Sequence, residues 1–183
     1  MPKTCSGIWI KLLTIYYKSF GGAAMNIGII IHSQTGNTRC VAQKLKEKFS
    51  AAGHTVSIES ISAANDGESD VQRIRLTAKP DVSTYDALLF GAPVRGFSLS
   101  PVMQAYLAGV GALLGTKVGC FITHFFPYAW MGGNRALFQL CEIVQARGAI
   151  VYGSGIVHWS RAASRDDQIE AVAAKLSADI INR

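Results

Sequence analysis

Apolar positions along this chain follow two alternating patterns. Short continuous runs rich in β-branched residues give way to stretches whose apolar residues recur every three or four positions. Residues 26–32 read N-I-G-I-I-I-H, a run suited to a strand buried on both faces. After a polar turn at 33–38, Val41, Leu45 and Phe49 recur at helical spacing, with Lys44, Lys46, Glu47 and Lys48 between them, and Gly53 closes that helix. Residues 54–61 alternate like a second strand. Residues 86–91 form a third, followed by a Gly/Pro/Ser loop to Ser100 and a helix over 101–107 that opens on Pro101. A fourth strand spans 117–123, and a loop covers 124–133. Leu137, Leu140, Cys141 and Val144 then make a helical stripe that Gly148 ends. A fifth strand begins at 149–152, and Ile169, Val172, Ala173, Leu176 and Ile180 mark the last helix. In 62–84, Val71, Ile74 and Leu76 predict a short helix stopped by Lys79-Pro80, because a parallel crossover is due there.

Strand and helix thus alternate five times. Short buried strands between amphipathic helices predict a doubly wound, five-stranded parallel sheet with helices on both faces. Such sheets bind ligands beyond the carboxyl ends of their strands, where the strand order reverses. The chemistry is expected in the loops after strands one, three and four.

The first of these loops is Ser33-Gln34-Thr35-Gly36-Asn37-Thr38, three hydroxyls and two amides at a helix start. Backbone N–H groups there lack partners, and the helix dipole favours an anion. Gly36 lets the backbone approach closely. The dinucleotide pattern GxGxxG and the triphosphate pattern GxxxxGK[ST] are both absent. Hydroxyls and amides without lysine suit one buried monophosphate. Ser-x-Thr-Gly-Asn-Thr after a buried strand resembles the phosphate loop of the flavodoxin family, and the resemblance extends over nearly all of 25–183. It implies a flavodoxin-like fold, bound FMN, and a phosphate wrapped by Ser33, Gln34, Thr35, Gly36, Asn37 and Thr38.

The same resemblance extends to the other two loops. Gly91-Ala92-Pro93-Val94-Arg95-Gly96 resembles the family's G-[ST]-P-x-x-G loop, with Ala92 where a hydroxyl is common. It implies that Pro93, Val94, Arg95 and Gly96 run along the ribityl chain and one face of the ring. Arg95 is expected to place positive charge near the flavin. In the fourth-strand loop, Thr123 is implied near the ribityl chain, and Gly132 and Gly133 at close backbone approach. Here the chain departs from the family in bulk: Phe126, Tyr128 and Trp130 all offer an aromatic face to a flat ring, and any of them suits stacking. The same aromatics suit a lid or a dimer contact. His124 and His32 read as structural histidines, with a hydrogen bond to flavin or a proton relay as the alternative for His124.

Composition narrows the function. The net charge is +6, and Lys3, Lys11 and Lys18 account for half of it, leaving +3 for 25–183. No basic stripe points to nucleic acid. The apolar run at 8–17 is too short for stable membrane insertion. Translation is expected to start at Met25, with 1–24 an extension outside the native protein; a signal peptide or a structural arm are the other readings. The cysteines form no CxxC pair and no zinc spacing, so no metal is indicated, and small buried or half-buried thiols suit a reducing cytoplasm. Cys141 and Arg147 have the C-x5-R spacing of a thiolate phosphatase, but a helical stripe lies between them. A phospho-acceptor domain would need acids where His32-Ser33 and Gly91-Ala92 stand. The chain therefore reads as a redox protein that transfers electrons through bound flavin. The alternative is an FMN-dependent NAD(P)H oxidoreductase reducing a quinone or similar small acceptor. Its partners are redox proteins or that acceptor. No side chain is demanded as acid, base or nucleophile.

Overall fold

A computed structural model of the protein describes residues 23–182; the expectation for 1–24 falls almost wholly outside them. Five parallel strands, β1 (Asn26–Ile31), β2 (Thr55–Ser60), β5 (Ala87–Arg95), β7 (Lys117–His124) and β8 (Ile150–His158), form a sheet in the order β2-β1-β5-β7-β8. Successive side chains of a strand point to opposite faces. The unbroken apolar runs therefore supply two cores at once. Ile27, Ile29 and Ile31 meet Val41, Leu45 and Phe49 of α1 (Asn37–Ala51) and Ile169, Leu176 and Ile180 of α4 (Ala162–Ile181). Ile30, Leu88 and Phe90 meet Val102, Met103 and Leu107 of α2 (Pro101–Gly109) and Leu140 and Val144 of α3 (Gly133–Ala146). This is the doubly wound, flavodoxin-like sheet with helices on both faces that the alternation predicts.

Two segments differ from expectation. No α-helix forms in 62–84. Instead β3 (Ser62–Ala63) pairs antiparallel with β4 (Leu76–Ala78), with a 3-10 turn at Val71–Arg73 between them. Polar side chains there bond the backbone directly. Asn65 donates to Arg73 O and accepts from Arg75 N–H, and Asp70 accepts from Gln72 N–H. Such local bonds compete with a helical ladder, so the crossover runs to β5 without a helix. The second difference is in the loop expected over 92–100. There β5 continues in register with β7 as far as Pro93 (opposite Thr123), runs on to Arg95 and turns back at Gly96-Phe97 into β6 (Ser98–Leu99), which pairs with Val94 and Arg95. Both turn residues have positive φ, as a tight two-residue hairpin demands. Cys40 also departs from the expected burial: it is exposed on α1. No helix among the described residues is long and apolar enough to cross a membrane.

Candidate functional site

The strand order reverses between β1 and β5, and three turns meet beyond that point. The first follows β1. Gly36 takes a left-handed conformation (φ 86°) as the N-cap of α1, and no side chain caps that helix. The N–H groups of Asn37 and Thr38 at the start of α1 are thus left for a ligand. A Cβ at Gly36 would meet nothing within 4 Å, so the turn faces open space. Ser33 Oγ accepts from Arg39 N–H at 3.3 Å and shapes the turn. Thr38 and Thr123 are buried with their Oγ1 atoms 2.9 Å apart, which ties the turn to the end of β7. One hydroxyl proton is used in that bond, and the other stays available to an acceptor.

A pocket of about 230 Å³ opens here, lined by Gln34, Thr35, Asn37 and Thr38 from the first turn, Pro93, Val94 and Arg95 from β5, and Thr123, His124 and Phe125 from β7 and its loop. Eight of these were expected from sequence; His124 and Phe125 join them. Ser33 and Gly36 complete the first turn, and Gly96 sits at the hairpin tip. The larger aromatics divide. Phe126 stacks on Phe97, ring centroids 5.8 Å apart and planes 6° from parallel. Tyr128 and Trp130 stack on each other at 6.1 Å, off the pocket wall. Gly132, buried and left-handed (φ 97°), caps α3 and presses on the hairpin: a Cβ there would lie 2.6 Å from Phe97 Cα. Gly133 follows as the first residue of α3, beside the His124 ring.

A larger concavity, about 690 Å³, lies between α1 and α4. It runs along the helix flanks, bordered by the Lys44–Glu170 ion pair. Only Gly36 of the expected residues reaches it. The smaller pocket, where three strand-end turns converge, is the one the fold places for a ligand.

Beneath the first turn lies a polar cluster that sequence reasoning missed. Buried His32 shares a hydrogen bond with the Ser100 hydroxyl at Nδ1, 2.7 Å, and its Nε2 lies 3.0 Å from Asp66 Oδ1. The latter contact is out of line for a hydrogen bond, so it is chiefly electrostatic. Burial lowers the His32 pKa below its ordinary value, and Asp66 opposes that shift. Asp66 also takes Arg95, which donates to its carbonyl oxygen and lies 3.4 Å from Oδ1. The guanidinium expected near the flavin is therefore largely balanced by a carboxylate. No local pattern marks Asp66; it sits in the crossover that reads as helix. Phe97 had a signal, a bulky residue after glycine in a tight turn. His124 is buried and donates from Nε2 to Met131 O at 2.7 Å, pinning the loop above it.

The model of the NADPH-dependent FMN reductase family matches residues 25–164. No curated protein matches the chain. Oxidised flavodoxin 1 from Bacillus cereus superimposes with a TM-score of 0.61 at 17% identity, over 86% of this chain and 98% of that one. A cysteine-to-serine mutant of the flavodoxin from Pseudomonas aeruginosa gives 0.62 at 16%, over 85% and 99%. The flavodoxin, WrbA-like protein from Agrobacterium tumefaciens gives 0.58 at 12%, over 85% and 98%. At these identities the structural likeness speaks to the fold alone.

Proposed function

Because the chain belongs to the family of NADPH-dependent FMN reductases, and is an FMN-binding redox protein of flavodoxin-like fold, we propose that it accepts hydride from NADPH into bound FMN and passes the electrons to a quinone or similar small acceptor. The family match favours the nicotinamide donor, and the observation that supports the flavin site is the outward-facing turn at Gly36, joined through Thr38 and Thr123 to a pocket at the strand-order reversal. Its donors suit a phosphomonoester: the open N–H groups of α1, the hydroxyls of Ser33, Thr35 and Thr38, and the amides of Gln34 and Asn37.

Flavin, when bound, takes up a hydride and gives electrons on singly or in pairs. The chain supplies placement. Pro93, Val94, Arg95 and Thr123 form the walls along which a ribityl chain would lie. The hairpin tip at Gly96, with Phe97 and Phe126, offers aromatic faces for a flat ring, and Gly132 and Gly133 bring the start of α3 close. Asp66 and His32 hold Arg95 and the first turn in place from below.

Transient electron transfer to a redox protein is the second reading. It is favoured by the apolar rim: Phe97, Phe125 and Trp130 are 53%, 69% and 74% exposed, more aromatic surface than solvent alone accounts for. The same rim suits a dimer contact, and the free thiols suit a reducing cytoplasm. Anaerobic mixing of the FMN-loaded protein with NADPH separates the readings. Rapid bleaching of the flavin, reversed by added quinone, is expected of the reductase. No bleaching leaves the carrier. A protein that is colourless once excess FMN has been added and the unbound flavin removed ends both.

A further inference from the structure

Tyr128 and Trp130 lie outside the FMN pocket, yet both are more than half exposed and face each other 16° from parallel. Over Tyr128 stands Arg161, its guanidinium 5.5 Å from the ring centroid. Arg161 is exposed and has no carboxylate partner among the described residues. One helical turn on, Arg165 lies over Trp159 at 4.9 Å. Asp166 approaches Arg165 at 3.9 Å, which leaves Arg161 the less compensated charge. Asp167, beside Asp166 in the second turn of α4, is the other nearby acid in sequence.

This surface is continuous with the FMN pocket. The loops after β7 and β8 are laced together: Trp159 N–H donates to His124 O at 2.7 Å, Ser160 N–H to Phe125 O at 3.0 Å, and His158 Nδ1 lies 3.2 Å from Phe126 O. His124 and Phe125 line the pocket on one side of that seam. Tyr128 and Trp130 belong to the loop after β7 and Arg161 to the loop after β8, so the ring–guanidinium contact also spans the two loops.

An exposed aromatic plate beside an unpaired guanidinium has a specific complement, a flat base attached to a phosphate. Bases stack on aromatic side chains regardless of their identity. A guanidinium fork pairs bidentately with a phosphate. The FMN phosphate already has its own place at 33–38, so it does not account for this second pairing. Given the reading of the protein as a nicotinamide-dependent reductase, on which this step rests, we infer that Tyr128, Trp130 and Arg161 bind the adenosine 2′-phosphate end of NADPH. Trp130, 74% exposed and backed by Tyr128, holds the adenine on its outward face, and Arg161 reads the 2′-phosphate and so sets the preference for NADPH over NADH.

The test uses the FMN-loaded protein and two probes that carry no hydride. Adenosine 2′,5′-bisphosphate is expected to bind about 10- to 100-fold more tightly than 5′-AMP by calorimetry, the range of a charge-assisted contact. Arg161→Ala should erase that difference, and Arg161→Lys should restore part of it. Trp130→Ala should weaken both probes together. In steady state, Arg161→Ala should lower the NADPH:NADH ratio of kcat/KM by the same factor, chiefly through KM, at equal flavin occupancy. Equal binding of the two probes to the wild type, or an unchanged ratio in Arg161→Ala, overturns the inference. Binding of the bisphosphate without any bleaching by NADPH would retain the site and sink the reductase reading instead.

Discussion

His32 sits where the last buried residue of β1 hands over to the phosphate turn. Its ring is almost fully buried between Ser100 and Asp66. Burial makes the charged imidazolium costly, and this outweighs the attraction of Asp66, so the proton affinity falls below the ordinary 6.5. His158 shifts the same way, again mainly through burial. In the unfolded chain both rings take a proton near the ordinary value, whereas the folded protein keeps them neutral to lower pH. The unfolded state then binds more protons over that interval, and stability rises with pH there. The contribution is fully present above about pH 6.5 and is lost as the pH falls through the lowered values. The melting temperature is therefore expected to drop between pH 7 and about 5.5. His32→Asn, whose side-chain oxygen can still accept from Ser100, should show a shallower drop in thermal melts. An identical pH slope in the variant would remove His32 from this account.

The two helices that border the site, α1 and α3, open alike. Each follows a strand end, has a left-handed glycine at its N-cap and lacks a side-chain cap. Their surroundings differ. Gly36 faces open space, whereas Gly132 packs on the backbone of Phe97. Phe97 is itself strained, the one non-glycine residue with positive φ among those described, at a cost of about 1–3 kcal/mol. Its ring lies on Phe126, so the hairpin tip and the fourth-strand loop are fixed together. Gly36→Ala should cost only the left-handed backbone penalty, about 1 kcal/mol. Gly132→Ala adds a clash that backbone cannot relieve and should cost about 2–4 kcal/mol in chemical denaturation, with weaker FMN binding as the loop parts from the tip. Equal losses would mean that the hairpin does not brace the loop. The strands and helices of the two cores were legible because apolar periodicity is local. The crossover at 62–84 was not, because Asn65 and Asp70 order it through polar bonds without any periodic stripe. The extension of β5 was hidden by Pro93 and Gly96, which read as a loop although the strand tolerates the proline near its end. The turn at 33–38 was legible as contiguous residues between a strand and a helix, whereas the contact of Asp66 with His32 and Arg95 joins segments far apart in the chain.

At the scale of the whole molecule, the two cores hold the sheet, and the turns that form the site stand outside them. Ligand binding therefore adds contacts that the cores do not make, and it stabilises only the folded state. FMN at a hundredfold excess over its Kd should add about 2.7 kcal/mol. For a chain of this size that is a rise of roughly 5–10 °C in melting temperature. The net charge of +6 by itself gives every anion a weak, non-specific attraction, so the phosphate turn must be tested against a ligand that keeps the ring and loses the anion. Riboflavin has the same isoalloxazine and ribityl groups without the phosphomonoester. If the hydroxyls, amides and open N–H groups of 33–38 are the anchor, riboflavin at the same concentration should raise the melting temperature by less than half as much as FMN. Thr38→Val removes one hydroxyl at the join between the first turn and β7. It should pull the FMN shift down toward the riboflavin shift while leaving the latter nearly as it was, a selective loss that general surface charge does not produce. Equal shifts for FMN and riboflavin in the wild type would move the anchoring away from this turn and onto the ring contacts of Phe97 and Phe126.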